Sequence, residues 1–295
     1  MRVWPVAAIA VIAVSCGGSS TPSAPLAPTP PVSTPTLPAS SIVTINGTIT
    51  DTITGATVGP FTQTAASVPV RVIVSAPGYI TRETVVRTAT PTVDLFAERG
   101  FDLAFYRQLV RDDFQKNRGF MEPSWVLEQA PSFYLEVEGA KGVSSQVGQR
   151  LEAVARRVVP ALTGGRFQVS RWETGPTPRS PQSGWIVIER ADLGPRICGQ
   201  ALIGNVAGQI WLHSDNTCNL EATFAHEIGH ALGFFHVNLQ GSLMFPQIRS
   251  SNIADAPTER ERDHATFAYR RPRGSRDIDV DPATLGLANP AIKID

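Results

Sequence analysis

The stretch at 226–236 reads HEIGHALGFFH, three histidines and a glutamate at spacings that can do chemistry. On a helix, His226 and His230 stand at i and i+4 and so lie one above the other on a single face, where two imidazoles can bind one metal ion. Glu227 follows the first histidine directly. Its carboxylate therefore projects beside a metal held there rather than onto it, and can take a proton from a water that the metal polarises. Gly233 comes three residues after His230, where a helix can end in a left-handed conformation that glycine adopts at little cost. The chain then turns back, and His236 can supply a third ligand from outside the helix. Three neutral nitrogens leave the fourth tetrahedral position open, the mark of a catalytic zinc site rather than a closed structural one. The plain alternative is a helix with incidental histidines. The full H-E-x-x-H-x-x-G-x-x-H pattern fixes five identities and arises by chance with a probability on the order of 10⁻⁵, which leaves that alternative little room.

These side chains need a scaffold. LEATFAHEIGHALG reads as the motif helix, entered from Asn219 as its cap with Glu221 in the first turn. Upstream, FDLAFYRQLVRDDFQK has apolar residues at helical spacing, SFYLEVEG reads as a strand, and SSQVGQRLEAVARRVVPAL is an amphipathic helix with a serine cap and a stop at TGG. RFQVSRWE, GWIVIER and GQIWLHS follow as strands, so an open sheet backed by helices is expected. PTERERDHATFAYR reads as a last helix entered with acidic residues, and residues 273–295 as an irregular tail. His213 and His264 each stand alone on an element that already has a packing role, and a structural part is expected of both.

Residues 42–96 have a different texture. Apolar and polar residues alternate in SIVTINGTIT and VPVRVIVSAPGYITRETVVRT, broken by TG, GP and PG turn signals, which argues short half-buried strands and a small β-sandwich. INGTITDTITGATV followed by VIVSAPGYITRETVVR resembles the carboxypeptidase-regulatory-like, transthyretin-type β-domains of bacterial surface proteins, which implies a spacer or docking module. Before it, residues 16–41 are rich in Ser, Thr, Pro, Ala and Gly and carry no charge, as an extended tether would.

HEIGHALGFFH together with GSLMFP at 241–246 resembles the metzincin clan of zinc endopeptidases, and within it the matrixin branch. The resemblance implies an α+β catalytic domain over residues 97–272, a twisted mixed sheet with an active-site helix and a C-terminal helix. It also implies His226, His230 and His236 as ligands of one catalytic Zn²⁺, Glu227 as general base, and Met244 as the hydrophobic base of the site beside the structural Gly233. Peptides would bind extended against an edge strand, either CGQALIG or GQIWLHS. The stretch upstream lacks the extra histidines and acidic residues of the animal matrixins, so neither a structural zinc nor calcium sites are expected. No glutamate directly follows His236, which speaks against the astacin branch.

The N-terminus carries Arg2 and then an apolar run over 6–14, the length of a signal-peptide core and too short to span a bilayer. AVSC at its end resembles the lipobox of bacterial lipoproteins, which makes 1–15 the signal peptide and Cys16 the lipidated residue. With Cys16 so used, Cys198 and Cys218 remain as a pair in an oxidising compartment, and a disulfide between them is expected. A matrixin-type cysteine switch at Cys198 is the alternative. Lys and Arg (26) balance Asp and Glu (26), with no basic cluster interleaved with aromatics, so nucleic acid is not an expected partner. The expectation is a monomeric zinc endopeptidase of protein substrates, anchored by lipid to the bacterial cell envelope. The rival is a catalytically weak surface lipoprotein that uses the same fold for protein binding or adhesion.

Overall fold

Strands alternate where the sequence alternates. The computed structural model describes residues 42–117, 119–214, 218–246, 254–276, 279–282, 287 and 291–295, so the expected signal segment, Cys16 and the tether lie outside the described residues. Five strands come first: β1 (Val43–Asp51), β2 (Thr57–Ala65), β3 (Val70–Val74), β4 (Arg82–Val86) and β5 (Thr92–Leu95). They form two three-stranded sheets, β2-β1-β5 and a second built on the β3–β4 hairpin. The inward residues Ile45, Phe61, Val72, Val74, Val93 and Leu95 share one apolar cluster. Burying each such side chain stabilises the fold by roughly 1.5–3 kcal/mol relative to leaving it in water.

The third strand of the second sheet was not foreseen. The segment read as an irregular tail ends in β11 (Ile292–Ile294), which pairs parallel with β3 in the register Ile292 to Val72 and Ile294 to Val74. Ile294 is buried among the valines of that sheet. A three-residue strand is too short to show a period of two, so only its burial reveals it.

The part of the chain that carries the histidine motif follows the expected order. Helix α1 (Leu103–Arg111) is capped by Asp102, whose side chain accepts the Phe105 N–H, and ends at Asp112 in the left-handed region (φ 55°). It is shorter than its apolar periodicity indicated, because the chain reverses at that residue. Strand β6 (Ser132–Glu136) is buried throughout, and helix α2 (Ser145–Leu162), capped by Ser144, lays Leu151, Val154, Val158 and Leu162 into the core. Then come β7 (Arg171–Gly175), β8 (Trp185–Ala191), β9 (Gly199–Ala201), β10 (Ala207–His213), α3 (Leu220–Ala231) and α4 (Glu259–Tyr269). The sheet order is β7-β6-β8-β10-β9, parallel throughout except for β9, which runs antiparallel to β10 at the edge. The mixed sheet and its helices thus follow the α+β expectation. Helix α3 packs on β9, β10 and α2. No described helix is long and apolar enough to cross a membrane.

The described residues pack as one compact unit, and a buried charge network helps to join its parts. Arg82 on β4 and Arg271 beyond α4 both reach Asp94 on β5; Arg271 also grips Asp279 through two nitrogens, and Arg82 reaches Asp281 at 3.1 Å. Burial alone would raise the Asp94 carboxyl, but the Arg271 and Arg82 guanidiniums, with hydrogen bonds from Arg271 and Thr52, outweigh it and hold it at about 2. A carboxyl depressed in the folded state stabilises the fold above its ordinary value near 3.8, and that contribution is lost as pH falls through about 2. Denaturation midpoints measured from about pH 5 to about pH 2 should therefore fall less steeply for Asp94→Asn than for the wild type. Equal slopes would show that Asp94 is not charged by this network.

Candidate metal centre

The three histidines meet because the motif helix stops where it does. Asn219 caps α3, its side-chain oxygen accepting the Ala222 N–H at 3.1 Å, and Glu221 in the first turn pairs with Arg150 of α2 at 2.6 Å. The helix continues just long enough to place His226 and His230 on the face toward the cleft. Gly233 then adopts φ +104°, and a Cβ there would lie 2.6 Å from the Trp125 backbone. Both the conformation and the space exclude a side chain, which is why the reversal that brings His236 back is built on glycine.

The imidazole geometry suits a cation. The Nε2 of His236 lies 3.1 Å from Nε2 of His226 and 3.1 Å from Nε2 of His230. On the far side of each ring, Nδ1 faces an oxygen: Leu243 O at 2.6 Å from His226, Phe234 O at 2.8 Å from His230, and Gln115 Oε1 at 2.8 Å from His236. A carbonyl or amide oxygen only accepts, so each Nδ1 carries the proton and each Nε2 presents a lone pair. Burial holds all three imidazoles neutral, His226 and His236 at about 4 and His230 well below its ordinary range. Three lone pairs converging at this distance repel one another unless a cation sits among them, and second-side hydrogen bonds of this kind are what orient histidine ligands. No other group of three metal-ligating side chains occurs among the described residues.

Glu227 lies beside this cluster. Its side chain is buried, Oε2 has no hydrogen-bond partner, and burial pushes the carboxyl up to about 8; a divalent cation on the neighbouring imidazoles acts in the opposite sense. Beneath the three histidines, Met244 is fully buried, and a Cβ on Gly229 would come within 2.2 Å of its sulfur. The methionine thus packs directly on the helix between His226 and His230. The turn that carries it is tied down by Glu261 of α4, whose carboxylate accepts the Leu243 and Met244 N–H groups at 3.1 and 2.8 Å while closing the capping box with Thr258. Leu243 in turn holds His226.

The upper rim of the site is β9. Between the two strands considered for that position, the one in CGQALIG is at the sheet edge, and GQIWLHS lies inside it as β10. A Cβ on Gly199 would approach Glu227 Oε1 at 2.6 Å, so this glycine lets the edge strand lie directly over the glutamate. The Cys198–Cys218 disulfide, closing a separation of 20 residues, pins the start of β9 to the entrance of α3. Cys198 is therefore not a free thiolate facing the metal site. Strand, histidines and Glu227 together line a cleft of about 1000 Å³ that also takes in Trp211, Phe235 and Pro246.

His213 and His264 stand apart from this cluster. His213 Nε2 lies 3.1 Å from Gly194 O, and His264 links α4 to α1, accepting the Asp102 N–H at 2.9 Å with its Nδ1 against Arg260 O. Three residues that matter here escaped the sequence reading. Glu261 sits in a Thr-x-x-Glu pattern that signals a cap but not the second set of bonds it makes; Gly199 and Gln115 have no local signature at all.

Residues 134–264 match the family model of the matrixins. No curated protein matches the chain. The matched stretch contains the three histidines, Glu227, Gly233, Met244 and both cysteines of the disulfide. With its three converging imidazoles, this part of the chain is a matrixin-like domain of the zinc-metallopeptidase type.

Proposed function

We propose that the protein is a zinc-dependent endopeptidase, exported and held at the bacterial cell envelope by a lipid on Cys16. The observation that carries the catalytic reading is the convergence of three neutral Nε2 atoms beside a buried Glu227 carboxylate, whose Oε2 has no hydrogen-bond partner, in an open cleft. In this reading His226, His230 and His236 hold the ion. Zinc, when bound there, supplies a Lewis acid that polarises the scissile carbonyl and acidifies water. Glu227 accepts the proton of the attacking water and delivers it to the leaving amine. The outer edge of β9 offers its backbone to an extended peptide, which then lies across the cleft above Glu227. Met244 and Gly233 serve the site indirectly, one as the packed base beneath the ligands and the other as the reversal that returns His236.

Residues 42–96, in this reading a small β-sandwich, act as a spacer or docking module between the tether of 16–41 and the catalytic part. Retention of every ligand and of the glutamate favours an enzyme over a protein that only binds others through this fold. The test is metal analysis of the purified chain together with cleavage of a mixed peptide library before and after chelation. One zinc per chain and cleavage that a chelator abolishes and zinc restores are expected. Cleavage indifferent to chelation, or a chain without zinc, would refute the proposal.

A further inference from the structure

The three metal-facing histidines are not held alike. Main-chain carbonyls fix His226 and His230, Leu243 O from the turn that carries Met244 and Phe234 O from the end of the motif, whereas the Nδ1 of His236 meets a side chain, Gln115, from a loop far upstream. That loop and the end of α1 grip the strand of chain around His236 at three points. The Phe235 N–H donates to Leu109 O at 2.7 Å, the Asn238 N–H donates to Gln108 Oε1 at 2.8 Å, and between them the His236 ring reaches Gln115 Oε1 at 2.8 Å. The loop is itself braced. Asp112 accepts the Lys116 N–H on its carbonyl at 2.8 Å and the Asn117 N–H on its carboxylate at 2.9 Å, with Asp112 and Lys116 both in left-handed conformations. All of these upstream groups lie outside the stretch 134–264 that matches the matrixins.

We propose that α1 and the 112–117 loop form a cradle for the third metal ligand, and that Gln115 is the positioning residue that sets the tautomer and orientation of His236. The inference rests on the zinc reading of the three histidines. His236 follows the end of α3, on backbone that lacks the helix's own hydrogen bonds, so its ring has no local partner to stop rotation about its side-chain torsions. Acceptance of Nδ1–H by Gln115 removes that freedom and raises the basicity of Nε2, as outer partners of ligating histidines do. The metal affinity of the site is then set partly by residues more than one hundred positions before the ligand in the chain.

The experiment measures zinc affinity of the full chain by competition with a chromophoric chelator, and the visible spectrum of the cobalt-substituted protein, for wild type, Gln115→Ala, Gln115→Glu, His236→Ala and the Gln115→Ala/His236→Ala pair. Gln115→Ala is expected to weaken zinc binding by about 10- to 100-fold and to alter the cobalt spectrum, while Gln115→Glu, which keeps an acceptor oxygen, restores wild-type affinity or better. In the His236→Ala background, adding Gln115→Ala should change the residual affinity by less than about twofold, which a general loss of stability would not reproduce. Tight wild-type binding with Gln115→Ala within about twofold of it overturns the proposed role of Gln115 and leaves the metal-site reading standing. A wild type that binds no zinc overturns both.

Discussion

Replacing Glu227 by alanine is expected to lower peptide cleavage by about 10²- to 10⁴-fold, the usual worth of a positioned general base, while zinc stays at one per chain. The two readouts separate because the side chain adjoins the cluster able to hold an ion without belonging to it: among the described residues, that cluster is His226, His230 and His236. Folding should not suffer either. The carboxylate is buried with Oε2 unpaired and its protonation pushed up to about 8 by burial, so the fold gains little from keeping it there. Equal or higher thermal stability of Glu227→Ala is the corresponding expectation, a pattern found where a site holds a group for chemistry at the expense of packing. A variant that keeps wild-type cleavage would place the base elsewhere, and one that loses its zinc would make Glu227 a ligand.

Replacing Arg271 by alanine should cost about 3–5 kcal/mol of stability, the range seen when one partner of a buried ion pair is removed. Its side chain is 1% exposed, reaches Asp94 at 2.6 Å, grips Asp279 through two nitrogens, and lies over the Phe96 ring with 3.9 Å from guanidinium carbon to centroid. Without it, Asp279 is left as a buried charge at 5% side-chain exposure with no counter-ion of comparable proximity among the described residues, although Asp94 keeps Arg82. The control is Arg260→Ala, whose ion pair with Asp102 is 44% and 39% exposed; solvent screening should hold its effect to about 0–1 kcal/mol. Chemical denaturation of the three proteins decides the matter. A loss below about 1 kcal/mol for Arg271→Ala would mean that the network merely accompanies the packing between the two halves.

Much of the scaffold could be read from periodicity alone. The alternation in SIVTINGTIT, the helical spacing in SSQVGQRLEAVARRVVPAL and the Asn219 cap reappear as β1, α2 and the start of α3, because these patterns record which face each element must bury. What they could not show are partners supplied by another element. Ile292 and Ile294 are unremarkable until they lie against Val72 and Val74, and α1 ends early because Asp112 takes up the left-handed conformation that starts the loop.

The same division runs through the metal centre. Spacing within eleven residues already set His226 and His230 on one face, Glu227 beside them and Gly233 at the reversal, since helix geometry makes i and i+4 neighbours regardless of what surrounds the helix. Whether CGQALIG or GQIWLHS formed the rim, which oxygens hold the three Nδ1 atoms, and how Glu261 braces the turn at Met244 were decided only when distant parts of the chain met. Local spacing is written into covalent geometry and the helical repeat. The groups that complete a site come together by burial and hydrogen bonding across the fold, and leave no periodic trace in the chain that carries them.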